Sequence, residues 1–160
     1  SNFCATFRLC KPENLPEGSA AGTTESRIED TLRARFGGQR VLLVEDDPTC
    51  REIATELLRL AGLSVDTAHN GFEAVRLASL HDYPLILMDM QMPEMGGIEA
   101  TRTIRKLPGK SGHAVILAMT ANAFEEDRQQ CFDAGMNDHL GKPFNADALY
   151  ARILKWLEKG

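Results

Sequence analysis

The chain has 160 residues, of which 43% are hydrophobic and 26% are charged, and its formal net charge is −5. This size and composition are typical of one globular domain with a tail and exclude two full domains. The basic residues are scattered along an acidic chain, so direct binding to nucleic acid is not expected. No apolar run approaches the roughly 20 residues of a membrane span. Since no signal peptide opens the chain either, a cytoplasmic location without membrane contact by these residues is predicted.

The N-terminal segment is predicted to lie outside the main domain. Residues 1–13 contain a run that alternates apolar and polar side chains, which indicates a half-buried strand, and they are interpreted as the remnant of a preceding domain. Residues 14–38 begin with proline, glycine and small polar residues, a composition typical of a linker. Within this linker, the capping box formed by Ser26 and Glu29 predicts a short helix over residues 26–36.

Residues 39–160 are predicted to form one α/β domain in which buried strands alternate with amphipathic helices. Strands are expected over residues 41–44, 64–68, 85–88, 114–119 and 137–140. The first helix of this domain, which follows the strand over residues 41–44, is expected to be capped by Asp47. Its inward face is expected to carry Ile53, Leu57 and either Leu60 or Ala61. Strict alternation implies a doubly wound parallel sheet in a three-layer, flavodoxin-like (βα)5 fold with strand order 2-1-3-4-5.

Polar side chains stand where the three central strands and the fifth strand end. Glu45 and Asp46 follow the first strand, Asp89 follows the third, Thr120 ends the fourth and Lys142 follows the fifth. Carboxylates that converge at this edge of the sheet repel one another unless a cation is present, and hard oxygen ligands suit Mg²⁺. A hydroxyl and an ammonium group opposite them would bind phosphoryl oxygens. The pattern therefore predicts a phosphoryl group on Asp89, acting as a carboxylate nucleophile.

Four segments at these positions resemble the motifs of response-regulator receiver domains in two-component phosphorelays. The resemblance spans residues 39–158. Its segments are Val44-Glu45-Asp46-Asp47-Pro48, Leu87-Met88-Asp89-Met90-Gln91-Met92-Pro93-Glu94-Met95, Met119-Thr120-Ala121 and Leu140-Gly141-Lys142-Pro143-Phe144.

The resemblance implies a role for each residue of the site. Asp89 would be the phosphoacceptor. Mg²⁺ would be held by Asp46, by Asp89 and by the backbone carbonyl of Gln91, with Glu45 acting through water. Lys142 would pair with the phosphoryl group or with the free carboxylate, and the donor would be a phosphohistidine on a kinase or a phosphotransfer protein. Because one transfer is followed by slow hydrolysis, the domain is not expected to be an enzyme.

The resemblance also implies a conformational switch. Thr120 would move to hydrogen-bond the phosphoryl oxygen, and His139 occupies the switch position at which the family usually has tyrosine or phenylalanine. The movement would alter the face formed by the fourth helix, the fifth strand and the fifth helix of the (βα)5 unit. The peptide bond between Lys142 and Pro143 would be cis, as the lysine-proline step of the family is. A weak homodimer is compatible with this assignment.

The alternating run within residues 1–13 is similar to the closing strand of a histidine-kinase ATP-binding domain. This weaker resemblance implies that the chain is the receiver end of a hybrid sensor kinase, whose parent protein could be anchored in a membrane.

Two alternative functions stay open. A pseudo-receiver would act only as an interaction module, although its site would not need Asp89, Thr120 and Lys142 together. A phosphohydrolase of the haloacid-dehalogenase type would also phosphorylate an aspartate at a strand end. It would need an acid two residues further on, where this chain has Gln91.

Overall fold

The computed structural model describes residues 17–92, 94–120, 125–141 and 145–159. Within these ranges, five parallel strands form one sheet in the order β2-β1-β3-β4-β5, which confirms the predicted flavodoxin-like topology. The strands are β1 (Arg40–Val44), β2 (Ser64–Ala68), β3 (Leu85–Asp89), β4 (Val115–Thr120) and β5 (Asp138–Gly141). The strand ends differ from the predicted ones by no more than one residue.

The described helices are α1 (Glu17–Phe36), α2 (Pro48–Leu60), α3 (Gly71–Leu80), α4 (Gly97–Arg105), α5 (Glu125–Ala134) and α6 (Ala146–Lys159), with a 3-10 helix at Lys110–His113. The Asp47 carboxylate accepts hydrogen bonds from two backbone N–H groups in the first turn of α2. The prediction that Asp47 caps this helix is therefore confirmed. None of the described helices combines the length and the apolar character that a membrane span requires.

The sheet separates two apolar layers, because successive strand residues point to opposite faces. Leu43 and Leu87 pack in the layer that also holds residues of α1, α2 and α6. Leu42 and Ile86 pack in the opposite layer with residues of α3, α4 and α5. All five residues of β3 are buried, as expected of a central strand covered on both faces. This arrangement gives the three predicted layers and fixes the carboxyl ends of β1 and β3 side by side.

The inward face of α2 differs from the prediction by about one residue. The residues that it buries are Ala54, Thr55, Leu58 and Ala61, whereas Leu57 is only partly buried. Ile53 and Leu60 are 56% and 48% exposed, so the prediction that Ile53 faces inward is wrong, and of the two alternatives Ala61 is the correct one. The two alanines weigh little in a hydrophobic pattern, but their small size suits a helix that lies close to a sheet.

The N-terminal helix is longer than predicted. It ends at Phe36 as expected but begins at Glu17, so residues 17–25 belong to a helix and not to an extended linker. The C-terminal part of α1 is fixed by packing of Leu32 into the core. Because extending a helix costs little free energy once its first turn has formed, the helix continues toward the N-terminus. The strand predicted within residues 1–13 lies outside the described residues, and the assignment of that segment stays a prediction.

Candidate functional site

Three carboxylates meet at the carboxyl edge of the sheet. Glu45, Asp46 and Asp89 each place one carboxylate oxygen within 4.8 Å of the others. They meet because β1 and β3 are neighbours in register, with Val44 opposite Met88, so that both strands end at the same level. Glu45 and Asp89 are buried, with exposures of 2% and 4%, whereas Asp46 is open to solvent.

Backbone N–H groups hold two of these carboxylates in place. The N–H of Asp47 donates to Glu45 Oε1 at 3.2 Å, and the N–H of Gln91 donates to Asp89 Oδ1 at 3.2 Å. The carboxylate of Asp47 itself accepts from the N–H groups of Thr49 and Cys50, at 2.8 and 3.3 Å. Asp47 is therefore used as a helix cap, while its backbone orients the neighbouring acid.

The donor set fits a small divalent cation. Carboxylate oxygens are hard ligands, and two buried acids close to a third would repel one another without a positive charge between them. The exposure of Asp46 leaves one side of the cluster open to the water ligands that Mg²⁺ retains. Gln91 follows two residues after Asp89 and is exposed, and ligation by its backbone carbonyl stays a prediction.

Thr120 lies on the adjoining strand. It ends β4 and is buried, and the residue before it, Met119, pairs in register with Asp89. The carbonyl of Met119 accepts a hydrogen bond from the N–H of Met90 at 3.0 Å, which ties β4 to the segment after Asp89. On its other side Thr120 is opposite Gly141, the last residue of β5. Lys142 and the Lys142–Pro143 peptide lie outside the described residues, and their predicted roles are untested.

A comparison with protein families matches residues 41–154 to the response regulator receiver domain. The chain belongs to this family. It is 42% identical over 141 residues to hybrid signal transduction histidine kinase B of Dictyostelium discoideum, a match that covers 81% of this chain and 7% of that protein. The receiver domain thus spans a small part of the curated relatives that it matches, between 7% and 24% of their length.

Solved structures agree with this assignment. The receiver domain of sensor histidine kinase PA1611 from Pseudomonas aeruginosa PAO1, which has a magnesium ion coordinated in its active site cleft, is 40% identical with a TM-score of 0.71. That match covers 76% of this chain and 99% of the other. The Ssk1 receiver domain of Saccharomyces cerevisiae, crystallised with the histidine phosphotransfer signaling protein Ypd1, is 34% identical with a TM-score of 0.70. It covers 75% of this chain and 89% of the other.

His139, the residue at the predicted switch position of the receiver domain, points into the protein from β5. Its side chain is 18% exposed, and its Nδ1 atom is buried and 3.6 Å from Asp138 Oδ1, without a hydrogen-bond partner among the described residues. Burial and the nearby Arg128 lower the pKa of His139 below its usual range, with Asp138 opposing and Arg152 adding to the effect. The imidazole is therefore neutral at neutral pH, held by packing more than by hydrogen bonds.

Beside His139 lies a charged cluster that the sequence analysis missed. Asp138 is 8% exposed and accepts hydrogen bonds from Trp156 Nε1 at 3.0 Å and from the N–H of His139 at 2.8 Å, and its Oδ1 is 2.6 Å from Arg152. Burial alone would raise the pKa of Asp138, but these donors outweigh it and hold the pKa below its usual range. The sequence did contain a signal for this cluster, since it has an aspartate inside a predicted buried strand. A buried charge requires partners.

Proposed function

We propose that this receiver domain accepts a phosphoryl group from a phosphohistidine donor onto Asp89 with the help of Mg²⁺. The observation that carries the proposal is the cluster of Glu45, Asp46 and Asp89, whose oxygens lie within 4.8 Å of one another beside the buried Thr120. The magnesium ion in the cleft of the PA1611 receiver domain supports the same chemistry here.

The transfer is a displacement at phosphorus. A carboxylate oxygen of Asp89 attacks the phosphorus atom, the P–N bond to the donor imidazole breaks, and its electron pair stays on that nitrogen while an acyl phosphate forms. The hydrogen bond from the N–H of Gln91 to Asp89 Oδ1 orients the carboxylate before attack. Mg²⁺, when bound, offsets the charge of the carboxylates and of the phosphoryl group. Asp46, Asp89 and the carbonyl of Gln91 would hold it, with Glu45 acting through water.

Two further groups would bind the phosphoryl oxygens. The hydroxyl of Thr120 would donate to one of them from the end of β4, and the ammonium group of Lys142 would pair with another. Both would stabilise negative charge that is absent before phosphorylation. Because a single transfer is followed by slow hydrolysis of the acyl phosphate, we propose a signalling module rather than an enzyme.

Movement of Thr120 toward the phosphoryl group would start the proposed conformational change at His139. His139 is opposite Ala118 on the neighbouring strand, and its Nδ1 has no hydrogen bond to lose among the described contacts when the ring leaves its inward position. We propose that phosphorylation shifts His139 and with it the face formed by α5, β5 and α6. A population shift of this kind needs only a few kcal/mol.

The donor must approach Asp89 closely, so its docking surface lies next to the site. Helix α2 begins at Pro48, directly after Asp46 and Asp47, and Ile53 in its second turn is 56% exposed. This exposed apolar side chain is placed where a protein partner that reaches Asp89 would contact it. The complex of the Ssk1 receiver domain with Ypd1 supports a phosphotransfer protein as that partner. We propose that Ile53 contacts the donor.

The parent protein is proposed to be a hybrid histidine kinase, as the similarity to the Dictyostelium kinase favours, with this domain working in the cytoplasm. A pseudo-receiver that only binds partners is the second candidate. Transfer from a phosphorylated histidine phosphotransfer protein, followed on gels that retard phosphoproteins, separates the two. The receiver proposal predicts that wild type and Asp133→Asn, which alters an exposed acid on α5, are both labelled, whereas Asp89→Asn is not. Labelling of none of them, with the fold intact, would favour the pseudo-receiver.

A further inference from the structure

Helix α1 is packed into the receiver domain as one of its core elements. Leu32 has no exposed surface and belongs to the same apolar cluster as Leu58 of α2 and Leu157 of α6. Ile28 and Phe36, one turn before and after Leu32, pack against this cluster from the same side. Residues 28, 32 and 36 are spaced four apart, so a single stripe of α1 faces this cluster, which also holds residues of α2 and α6.

Polar contacts fix α1 at the C-terminal ends of both helices. The guanidinium group of Arg33 donates to the carbonyl of Leu60, at the end of α2, where the helix dipole favours a cation. Arg35 forms an ion pair of 3.1 Å with Glu158 near the end of α6. The N–H of Gly38 donates to the carbonyl of Gly62 at 2.8 Å, which anchors the chain just after α1.

The turn after α2 is shaped to receive α1. Gly62 has a φ of +82°, and a Cβ atom placed there would lie 2.9 Å from Arg33 Cγ and 3.2 Å from Arg33 Cα. A side chain at this position would therefore be strained and would also push α1 away. This close backbone approach indicates a specific docking site for α1.

Helix α2, whose far end α1 contacts, begins beside the acidic cluster, since it starts at Pro48, two residues after Asp46. Helix α6, which α1 contacts at its C-terminal end, starts at Ala146, four positions after Lys142 in the sequence. Because packed helices shift as rigid bodies, a displacement of either helix at its first turn reaches the surface on which α1 lies.

We propose that docking of α1 and phosphorylation of Asp89 are coupled, so that α1 transmits the state of the site to the segment that precedes it. This inference rests on the proposed function. In this coupling the docked α1 belongs to the unphosphorylated arrangement: phosphorylation loosens α1, and by thermodynamic linkage an undocked α1 favours the phosphorylated arrangement.

The test uses the complete chain and beryllofluoride, which adds to a carboxylate as a phosphoryl group does. Leu32→Asp undocks α1 by placing a charge in the core. Ala34→Asp puts the same charge on the exposed side of the same helix and is the matched control. The folding of each variant is checked by circular dichroism, and Leu32→Ala replaces Leu32→Asp if the latter does not fold.

Two measurements are made in the presence of Mg²⁺. Hydrogen exchange of residues 27–36 in wild type and in Ala34→Asp is expected to become at least about threefold faster when beryllofluoride is added. Half-saturation with beryllofluoride, followed by ¹⁹F NMR, is expected at a concentration at least about threefold lower for Leu32→Asp than for Ala34→Asp. Exchange that does not become faster, or half-saturation that is no lower for Leu32→Asp, would overturn the coupling. Failure of wild type to bind beryllofluoride at all would instead contradict the acceptor function, and the coupling with it.

Discussion

Asp138 Oδ1 lies 2.6 Å from Arg152 Nη1, so that the strand β5 and the helix α6 are joined by an ion pair whose carboxylate is buried. The same carboxylate accepts from the indole of Trp156, which fixes a second point of α6. These contacts hold together part of the face that we propose to change on phosphorylation. A charge buried in this way is costly unless its hydrogen-bond donors remain in place.

Replacement of Asp138 by asparagine is expected to destabilise the domain at neutral pH. The free energy of unfolding should fall by about 1–3 kcal/mol, because the donors from Trp156 and Arg152 lose a charged acceptor. Urea denaturation at pH 7 measures this change. The exposed Asp133 provides the matched control through Asp133→Asn, which should change the free energy of unfolding by no more than about 0.5 kcal/mol.

The lowered pKa of Asp138 also fixes the direction of a pH effect. Its pKa in the folded domain lies below that of an unfolded chain, so the stability it contributes is complete above the unfolded value, near pH 4, and is lost as pH falls through the folded value. The difference in free energy of unfolding between wild type and Asp138→Asn should therefore narrow as pH falls below about 4. A difference that stays constant between pH 7 and pH 3 would contradict this explanation.

Arg105 is expected to be the most sensitive basic residue of α4. Its guanidinium group donates to the carbonyls of Gly112, Ala114 and Gly135 at distances between 2.6 and 3.0 Å and to Asn137 Oδ1 at 2.8 Å. Arg105→Met keeps much of the aliphatic stem but removes all of these hydrogen bonds, which should lower the free energy of unfolding by about 1–3 kcal/mol.

The control for Arg105 is on the same helix. Arg102 is exposed, and Arg102→Met should change the midpoint of urea denaturation little. Equal destabilisation by the two substitutions would show that the loss of charge matters more than the hydrogen bonds to these carbonyls.

Ile53→Asp is expected to separate donor binding from chemistry. A charge on this exposed position of α2 should slow transfer from a phosphorylated phosphotransfer protein about tenfold or more, as loss of an interface anchor does, while phosphorylation by acetyl phosphate stays unchanged. Leu80, which is 62% exposed near the end of α3, supplies the control Leu80→Asp. Stopped-flow transfer kinetics measure both rates. Similar slowing in both variants would contradict a docking role for Ile53.

His139 is expected to titrate below the usual histidine range in the unphosphorylated domain. Burial, Arg128 and Arg152 disfavour the imidazolium, while Asp138 alone favours it. Outward movement of the ring on addition of beryllofluoride would relieve the burial and raise this pKa toward 6.5. NMR titration of the imidazole, with His139→Gln to assign the resonance, measures the shift. An identical titration with and without beryllofluoride would contradict the proposed switch.

Much of the fold was predictable from local pattern. The four apolar residues before Asp89 predicted a strand buried on both faces, and Asp47 before Pro48 predicted the start of α2. Because parallel strands end at one edge, the same pattern predicted that Glu45 and Asp46 would meet Asp89. These predictions depend on neighbours in sequence and on the topology, and both are available without a structure.

The features that were missed depend on tertiary packing. The orientation of α2 differs from the prediction because Ala54 and Ala61 pack inward and leave Ile53 exposed. The partners of Asp138 lie 14 and 18 residues away on α6, and no spacing rule connects a strand residue to them. The predicted roles of Lys142 and of its peptide bond with Pro143 are not tested by the described residues.

Acceptance of a phosphoryl group by Asp89 is measured by intact mass spectrometry after incubation with acetyl phosphate and Mg²⁺, for wild type beside Asp89→Asn. Wild type is expected to gain one phosphoryl group, chelation of Mg²⁺ to suppress this gain, and Asp89→Asn to gain none. An unchanged mass for folded wild-type protein, or an equal gain in Asp89→Asn, would contradict this role of Asp89.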